Sequence, residues 1–464
     1  MTAKPNSTIA RDLESVVHPF SNLATLPDDP PTMITHGKGI YVYDDNGKEY
    51  MEGASGMWCA SLGFGEEELI EAAIKQFRKL PWYHSFVDKT IEPVGILAEK
   101  LKAIAPAPMA RVLFVNSGSE ANDTMAKLVW YYNNALGRPE KKKIISRING
   151  FHGLTIGAGS LTGIPVMHAG FDLPIPNILH TENPYYYRRG EPGESEEEFA
   201  TRMADALEEM ILAEGPDTIA AFIAEPVMGA GGVITPPATY FEKIQAVLER
   251  YDVLMLADEV ICGFGRTGNM FGCDTYAIKP HMMTTAKGLS SAYQPIAALL
   301  ICEEIWEAMV EQSRKQGLFA HAFTTSGHPV AVAVATRVVE LMEERDILGH
   351  VRRVGPRLQE GLRALADHPL VGDVRGVGLM AGVEIVADKA TRRQFDPGHG
   401  VKKFATEQLL ELGLITRLGA ASDTFAFSPP LIITDEQIDE MVRRFTVGLD
   451  ATAAWVETNG LQAA

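Results

Sequence analysis

The sequence predicts an α/β protein: a larger domain built on a mostly parallel sheet covered by helices, with a smaller α+β domain after it. Three observations carry that expectation. Short, continuously apolar runs of strand length recur through the middle of the chain, and such runs suit strands buried on both faces. Amphipathic segments of helical period stand between them, the alternation of a helix-covered parallel sheet. The chain has 464 residues, 46% hydrophobic and 22% charged, an ordinary globular composition with room for two or three domains at roughly 150 residues each.

Taken in order, residues 1–60 form an N-terminal segment with a Pro-rich start (Pro27, Pro30, Pro31) and a hairpin signal from Tyr41 to Gly47; it is expected to pack on the smaller domain. Residues 61–329 form the larger domain. Its strands are predicted at 112–115, 143–146, 219–224, 253–257 and 296–301. A helix is predicted over 195–214, where Ser195 and an acidic first turn precede apolar residues at helical spacing. Gly327-His328-Pro329 marks the boundary to residues 330–464, which open with a long helical pattern over 330–345 and contain a strand near 378–386. No internal repeat or low-complexity tract interrupts this order.

Charge and cysteine usage exclude several functions. The net charge of −18 argues against nucleic acid or an anionic membrane as the main partner. Cys59, Cys262, Cys273 and Cys302 lack the close spacing of a zinc knuckle or redox motif, so they read as reduced structural thiols, and no metal is expected. The N-terminus lacks the apolar core of a signal peptide, and runs such as 295–302 are far shorter than a membrane span of about 20 residues. The expectation is a cytoplasmic protein.

Three segments carry chemistry. Residues 111–128 (RVLFVNSGSEANDTMAKL) read as a strand, a small polar turn and a helix start. There Gly118 lets the backbone approach a phosphate and Ser119 adds a hydroxyl beside free amides; the same pattern also describes an ordinary Ser-capped turn. Residues 253–268 (VLMLADEVICGFGRTG) read as a buried strand ending in Asp258 and Glu259, at the end that faces the ligand crevice of an open α/β sheet. Gly263, Gly265 and Gly268 satisfy a dinucleotide fingerprint, but NMFGCDTYAIKP follows where the fingerprint needs a helix. In residues 282–294 (MMTTAKGLSSAYQ), Lys287 stands among small residues. A lysine held in a crevice can react with an aldehyde cofactor. Phosphate cradle, strand-end carboxylate and lysine together match the needs of pyridoxal phosphate.

With these residues in view, the chain resembles the class III, fold-type I pyridoxal-phosphate aminotransferases, and most of all the ω-amino acid:pyruvate and amine:pyruvate transaminases. The likeness runs from HPF at 18–20 through EGASGMWCASLGFG, NSGSEAND, GFHG, SLTG, AEPVMGAGG, ADEVICGFGRTG, TTAKGLSSAYQPI and FTTSGHP to VRGVGLMAGVE and SPPLIIT. It implies pyridoxal 5′-phosphate as cofactor, with Lys287 as Schiff-base lysine and proton carrier and Asp258 as partner of the pyridinium nitrogen. It further implies Val260 beneath the ring, Phe151 stacked on it, Gly118 and Ser119 as phosphate ligands and Glu225 as a supporting acid. Thr324 matches a threonine that reaches the phosphate of the neighbouring subunit, which implies a homodimer with shared active sites.

For substrates, the resemblance implies an amine donor and a keto acid or aldehyde acceptor, exchanged by a ping-pong mechanism. Arg417 matches a mobile arginine that pairs with a carboxylate, and Phe20, Trp58 and Phe86 match positions lining the substrate cavity. Two positions depart from the usual pattern: Phe151 stands where a Tyr is common, and the small Ala230 leaves room for bulk. Both favour apolar, bulky amines. An aminomutase, a dialkylglycine-type decarboxylase or a racemase on the same fold is the alternative, because Lys287 and Asp258 are common to all of them.

Overall fold

Every residue of the strand Ile219–Ala224 is apolar and buried, which requires a sheet covered on both faces. In the computed structural model, which describes residues 7–419 and 422–462, this strand lies inside a seven-stranded sheet. We number its strands β1 (Arg111–Val115), β2 (Lys143–Arg147), β3 (Ile178–Thr181), β4 (Ile219–Ala224), β5 (Leu254–Asp258), β6 (Met282–Thr285) and β7 (Ala297–Ile301). Their spatial order is β1-β7-β6-β5-β4-β2-β3. β7 runs antiparallel to both neighbours, and the remaining pairs are parallel. β1 therefore points the same way as β6, so the carboxyl ends of β1, β2, β4, β5 and β6 share one edge of the sheet.

Alternate residues of β4 enter different cores. Ala221 and Ile223 pack with Met125, Leu128 and Val129 of the helix Gly118–Ala135, while Phe222 and Ala224 join Phe199, Met203 and Leu207 of the helix Glu196–Glu214. The second helix starts where its sequence says it should: Ser195 accepts from the Glu198 amide and Glu198 returns the bond to the Ser195 amide, a capping box. The five predicted strands are present. β3 (ILHT) and β6 (MMTT) were not predicted, because they are short and half polar and lack the apolar run that reveals the others.

The helix Pro329–Glu344, with Pro at its first turn, packs on the helices Glu67–Lys79 and Glu92–Ile104. Beyond it, an antiparallel sheet joins Val371–Val377, Met380–Ile385, Thr424–Phe427 and Arg417–Leu418. The N-terminal hairpin forms around Asp44, whose Oδ1 accepts the amides of Asn46 and Lys48 at 2.9 Å. Its last strand, Glu49–Glu52, pairs in parallel with Leu414–Ile415, tying the start of the chain to its far end. Among the described residues the four cysteines are free thiols, and no helix is long and apolar enough to cross a membrane.

Candidate active site

The carboxyl edge of the sheet collects the residues that carry chemistry. Asp258 closes β5 and is 3% exposed. Its Oδ2 accepts from Asn122 Nδ2 and His152 Nδ1, both at 2.8 Å, and its Oδ1 accepts the Val260 amide at 3.1 Å. Asn122 also donates to the His152 carbonyl at 2.7 Å. Burying a carboxylate is costly unless hydrogen bonds replace its water, so a helix, a loop and a strand are all needed to hold this group. Glu259, next in sequence, turns away and accepts the amides of Gly272 and Cys273 at 2.9 and 2.6 Å; burial pushes its carboxyl up to about 7. Of the two strand-end acids, only Asp258 lines the crevice.

The helix Gly118–Ala135 begins over this crevice. Ser117 caps it by accepting the Glu120 amide at 3.2 Å, which leaves the amides of Gly118 and Ser119 without intrahelical partners. A side chain at position 118 would stand 3.1 Å from a Val260 methyl, so a glycine is needed to keep the floor open. Ser119 Oγ accepts the Leu154 amide at 3.2 Å. Gly153 stands so close that a Cβ there would come within 2.5 Å of this hydroxyl. Opposite, Glu225 is buried at the end of β4; its two oxygens accept the amides of Phe151 (2.9 Å) and Gly229 (3.0 Å), and its burial pushes the carboxyl up. Glu225 thus braces the Phe151 loop and the turn that carries Ala230.

Lys287 follows β6 at the start of a short 3₁₀ turn with φ +44°, a left-handed conformation that few residues other than glycine adopt. Burial lowers the pKa of its ammonium; Cys59, Asp258 and Glu225 pull it back up. The crevice is lined by Gly118, Ser119, Phe151, His152, Gly153, Glu225, Asp258, Val260, Ile261, Ala286 and Lys287. It adjoins a second cavity of Phe20, Met57, Trp58, Phe151, Met167, Ala230, Ile261, Lys287 and Arg417. Phe151, Ile261 and Lys287 belong to both. Arg417 stands against Met57, and burial lowers its pKa.

Two residues lie elsewhere. Phe86 does not meet Trp58 or Phe151 within this chain; it is exposed, in a groove with Val87, Phe114 and Leu318–Ala322. Thr324 is exposed in the loop that continues this strip. Neither borders the crevice of its own chain, because both ride on segments that face outward. The fingerprint-like glycines sit in a buried loop in which the Phe264 amide bonds to the Met270 carbonyl at 2.7 Å, and no phosphate-binding helix starts there. Asn122 and His152 carried no assigned role in the sequence reading, although both lie inside motifs it quoted.

A helix start with free amides, a strand-end carboxylate and a lysine in left-handed backbone meet in one crevice, the set of groups that a pyridoxal-phosphate enzyme needs. The chain belongs to the class III aminotransferases: the family model for Aminotransferase class-III matches residues 24–449. It is 50% identical to gamma aminobutyrate transaminase 1, mitochondrial, of Solanum lycopersicum, over 95% of this chain and 85% of that protein. The omega transaminase of Pseudomonas jessenii, solved in complex with PMP, superposes with a TM-score of 0.95 at 51% identity, over 97% of this chain and 99% of that one. A thermostable omega transaminase variant, W58M/F86L/R417L, engineered for asymmetric synthesis of enantiopure bulky amines, gives 0.95 at 50% identity, over 97% and 100%. The protein is therefore an aminotransferase, and its cofactor is pyridoxal 5′-phosphate. The crevice fits that group: a side chain at Gly118 would crowd Val260, free helix amides border it, and the Asp258 carboxyl lines it.

Asp258→Asn is expected to leave the fold intact and to slow transamination by several powers of ten, each tenfold being about 1.4 kcal/mol of barrier. Single-turnover rates on purified protein measure this; unchanged rates would reduce Asp258 to a structural acid.

Proposed function

We propose that this chain moves an amino group from an apolar amine or an ω-amino acid to pyruvate or another keto acid or aldehyde, as a homodimer with shared active sites. The observation that carries the reading is Arg417: a single guanidinium in a cavity of Phe20, Met57, Trp58, Phe151, Met167 and Ile261, beside Lys287. One cation in apolar surroundings grips a carboxylate bidentately when a keto acid or ω-amino acid enters. The aromatic walls accept an uncharged amine in turn. The substitutions W58M, F86L and R417L in the structural neighbour made for bulky amines fall at numbers that carry Trp58, Phe86 and Arg417 here.

The bound cofactor supplies an aldehyde carbon and a protonated ring that draws electrons from the amine carbon. The chain's residues do the rest. Asp258, held by Asn122 and His152, would keep the pyridine nitrogen protonated. Gly118 and Ser119 would hold the phosphate, and Phe151 and Val260 would hold the ring. Lys287, its ammonium disfavoured by burial, would hold the cofactor aldehyde and, once freed, would serve as the base that moves a proton at the amine carbon. Ala230 leaves room for bulk. Because the amino group rests on the enzyme between substrates, kinetics are ping-pong.

The dimer rests on Thr324 and Phe86, which share one exposed strip away from their own crevice. Across a two-fold axis, Thr324 completes the partner's phosphate site and Phe86 the partner's cavity.

A panel of amines offered with pyruvate should yield alanine, with a visible cofactor band cycling between two forms; no alanine from any amine would overturn the reading. Arg417→Ala should lower the second-order rate constant for pyruvate by tens to thousands of times, as loss of a buried charge partner worth roughly 2–5 kcal/mol implies. An uncharged aldehyde, followed in single turnovers, should change only a few-fold, and equal losses would remove Arg417 from carboxylate recognition. Thr324→Ala should weaken cofactor retention and make dimer stability less responsive to added pyridoxal phosphate, read by size-exclusion with and without cofactor.

A further inference from the structure

The cavity's Trp58 wall is held in an unusual way. Between the strand Glu49–Glu52 and Trp58 the backbone turns through Ser55 (φ +48°), Gly56 (φ +68°) and Trp58 (φ +65°). Left-handed φ is costly for a tryptophan or serine and persists only where surrounding contacts over-determine it. Those contacts are identifiable. The Gly53 amide donates to the Ile415 carbonyl at 2.8 Å, the Ser428 amide to the Gly53 carbonyl at 2.7 Å, and Ser55 Oγ to the Ser428 carbonyl at 2.6 Å. Inside the turn, Trp58 N–H donates to the Ala54 carbonyl at 2.9 Å.

The remaining contact is Glu52. Its side chain is buried, with the residue 5% exposed, and Oε1 accepts the Ala54 amide at 3.0 Å. Burial pushes the carboxyl up to about 7, and only the amides of Ala54 and Gly56 pull it back. An acid kept in the interior on backbone donors alone is an expensive way to stabilise a fold. What those donors share is the turn. Glu52 also pairs with Ile415 in the parallel ladder, two residues before Arg417, and the turn's Met57 is the residue that Arg417 stands against. One carboxylate therefore sits where the strand leading to Arg417 and the turn leading to Trp58 are joined.

We infer that Glu52 is a positioning residue for substrate selection: by holding the turn Ala54–Trp58, it fixes the Trp58 wall and so limits the bulk of the amine the cavity admits. The inference rests on the cavity reading given above. Glu52 touches neither substrate nor cofactor, and its effect passes through Trp58, which packs on Val227, Val233 and Ile261. Glu52→Gln keeps the shape but leaves one acceptor oxygen where the carboxylate offers two, so the amides of Ala54 and Gly56 must share it and the wall loosens.

The test is a double-mutant cycle on the cofactor-loaded enzyme, comparing kcat/KM for a bulky and a small apolar amine with pyruvate. E52Q should move the bulky-to-small ratio by about fivefold toward the bulky amine, with the bound-cofactor absorption unchanged, while in a W58L background the same substitution should move it by less than about twofold. E52D, with both acceptor oxygens on a shorter stem, should move the ratio the same way by less. An unchanged ratio, equal losses on both amines with a lowered Tm, or the same shift with and without Trp58 would overturn the role of Glu52. Wild-type enzyme that makes no alanine from either amine would instead overturn the cavity reading beneath it.

Discussion

The site is organised around one buried carboxyl group. Asp258 sits at the carboxyl end of a strand whose every residue is buried, and its carboxyl accepts hydrogen bonds from Asn122 and His152. Those donors come from the helix that begins over the crevice and from the loop that carries Phe151. Satisfying the carboxylate therefore fixes the relative position of helix start, Phe151 loop and strand end. Fold stability and site geometry draw on the same hydrogen bonds.

Around that anchor, charge is used sparingly. Glu225 spends both oxygens on backbone amides, Glu259 caps a short helix, and burial raises both carboxyls. Lys287 is drawn the other way, toward the neutral amine. The adjoining cavity is apolar except for Arg417 and the shared Lys287. On the function proposed here, such a site discriminates between a carboxylate and an alkyl or aryl group by letting the Arg417 guanidinium engage or stand aside, and specificity passes to the walls, Trp58 above all, and to whatever fixes their positions.

Much of this was legible in the sequence. Buried strands announced themselves as apolar runs, and Ser195 with its acidic turn marked a helix start. Asp258 and Lys287 stood out because each follows such a run. β3 and β6 were hidden by their polar halves. Periodicity alone did not say whether Asp258 or Glu259 faced the crevice, since a strand end presents both; the family resemblance singled out Asp258, and the bonds of Glu259 to Gly272 and Cys273 turn that acid away. Asn122 and His152 meet Asp258 from 136 and 106 residues away in the chain, a separation that periodicity cannot span. Phe86 was grouped with Trp58 as lining one cavity, yet within a single chain the two lie apart.

The central claim is that Lys287, set across the crevice from Asp258, is the group that holds the cofactor and moves the proton. Reduction of the cofactor-loaded enzyme with borohydride, followed by proteolysis and mass mapping, tests it directly. The account predicts a single pyridoxyl-phosphate adduct on the peptide containing Lys287, and its loss in Lys287→Ala, which should fold and retain some cofactor through the cradle while turnover disappears. An adduct on another lysine, or near-normal transamination by Lys287→Ala, would contradict it.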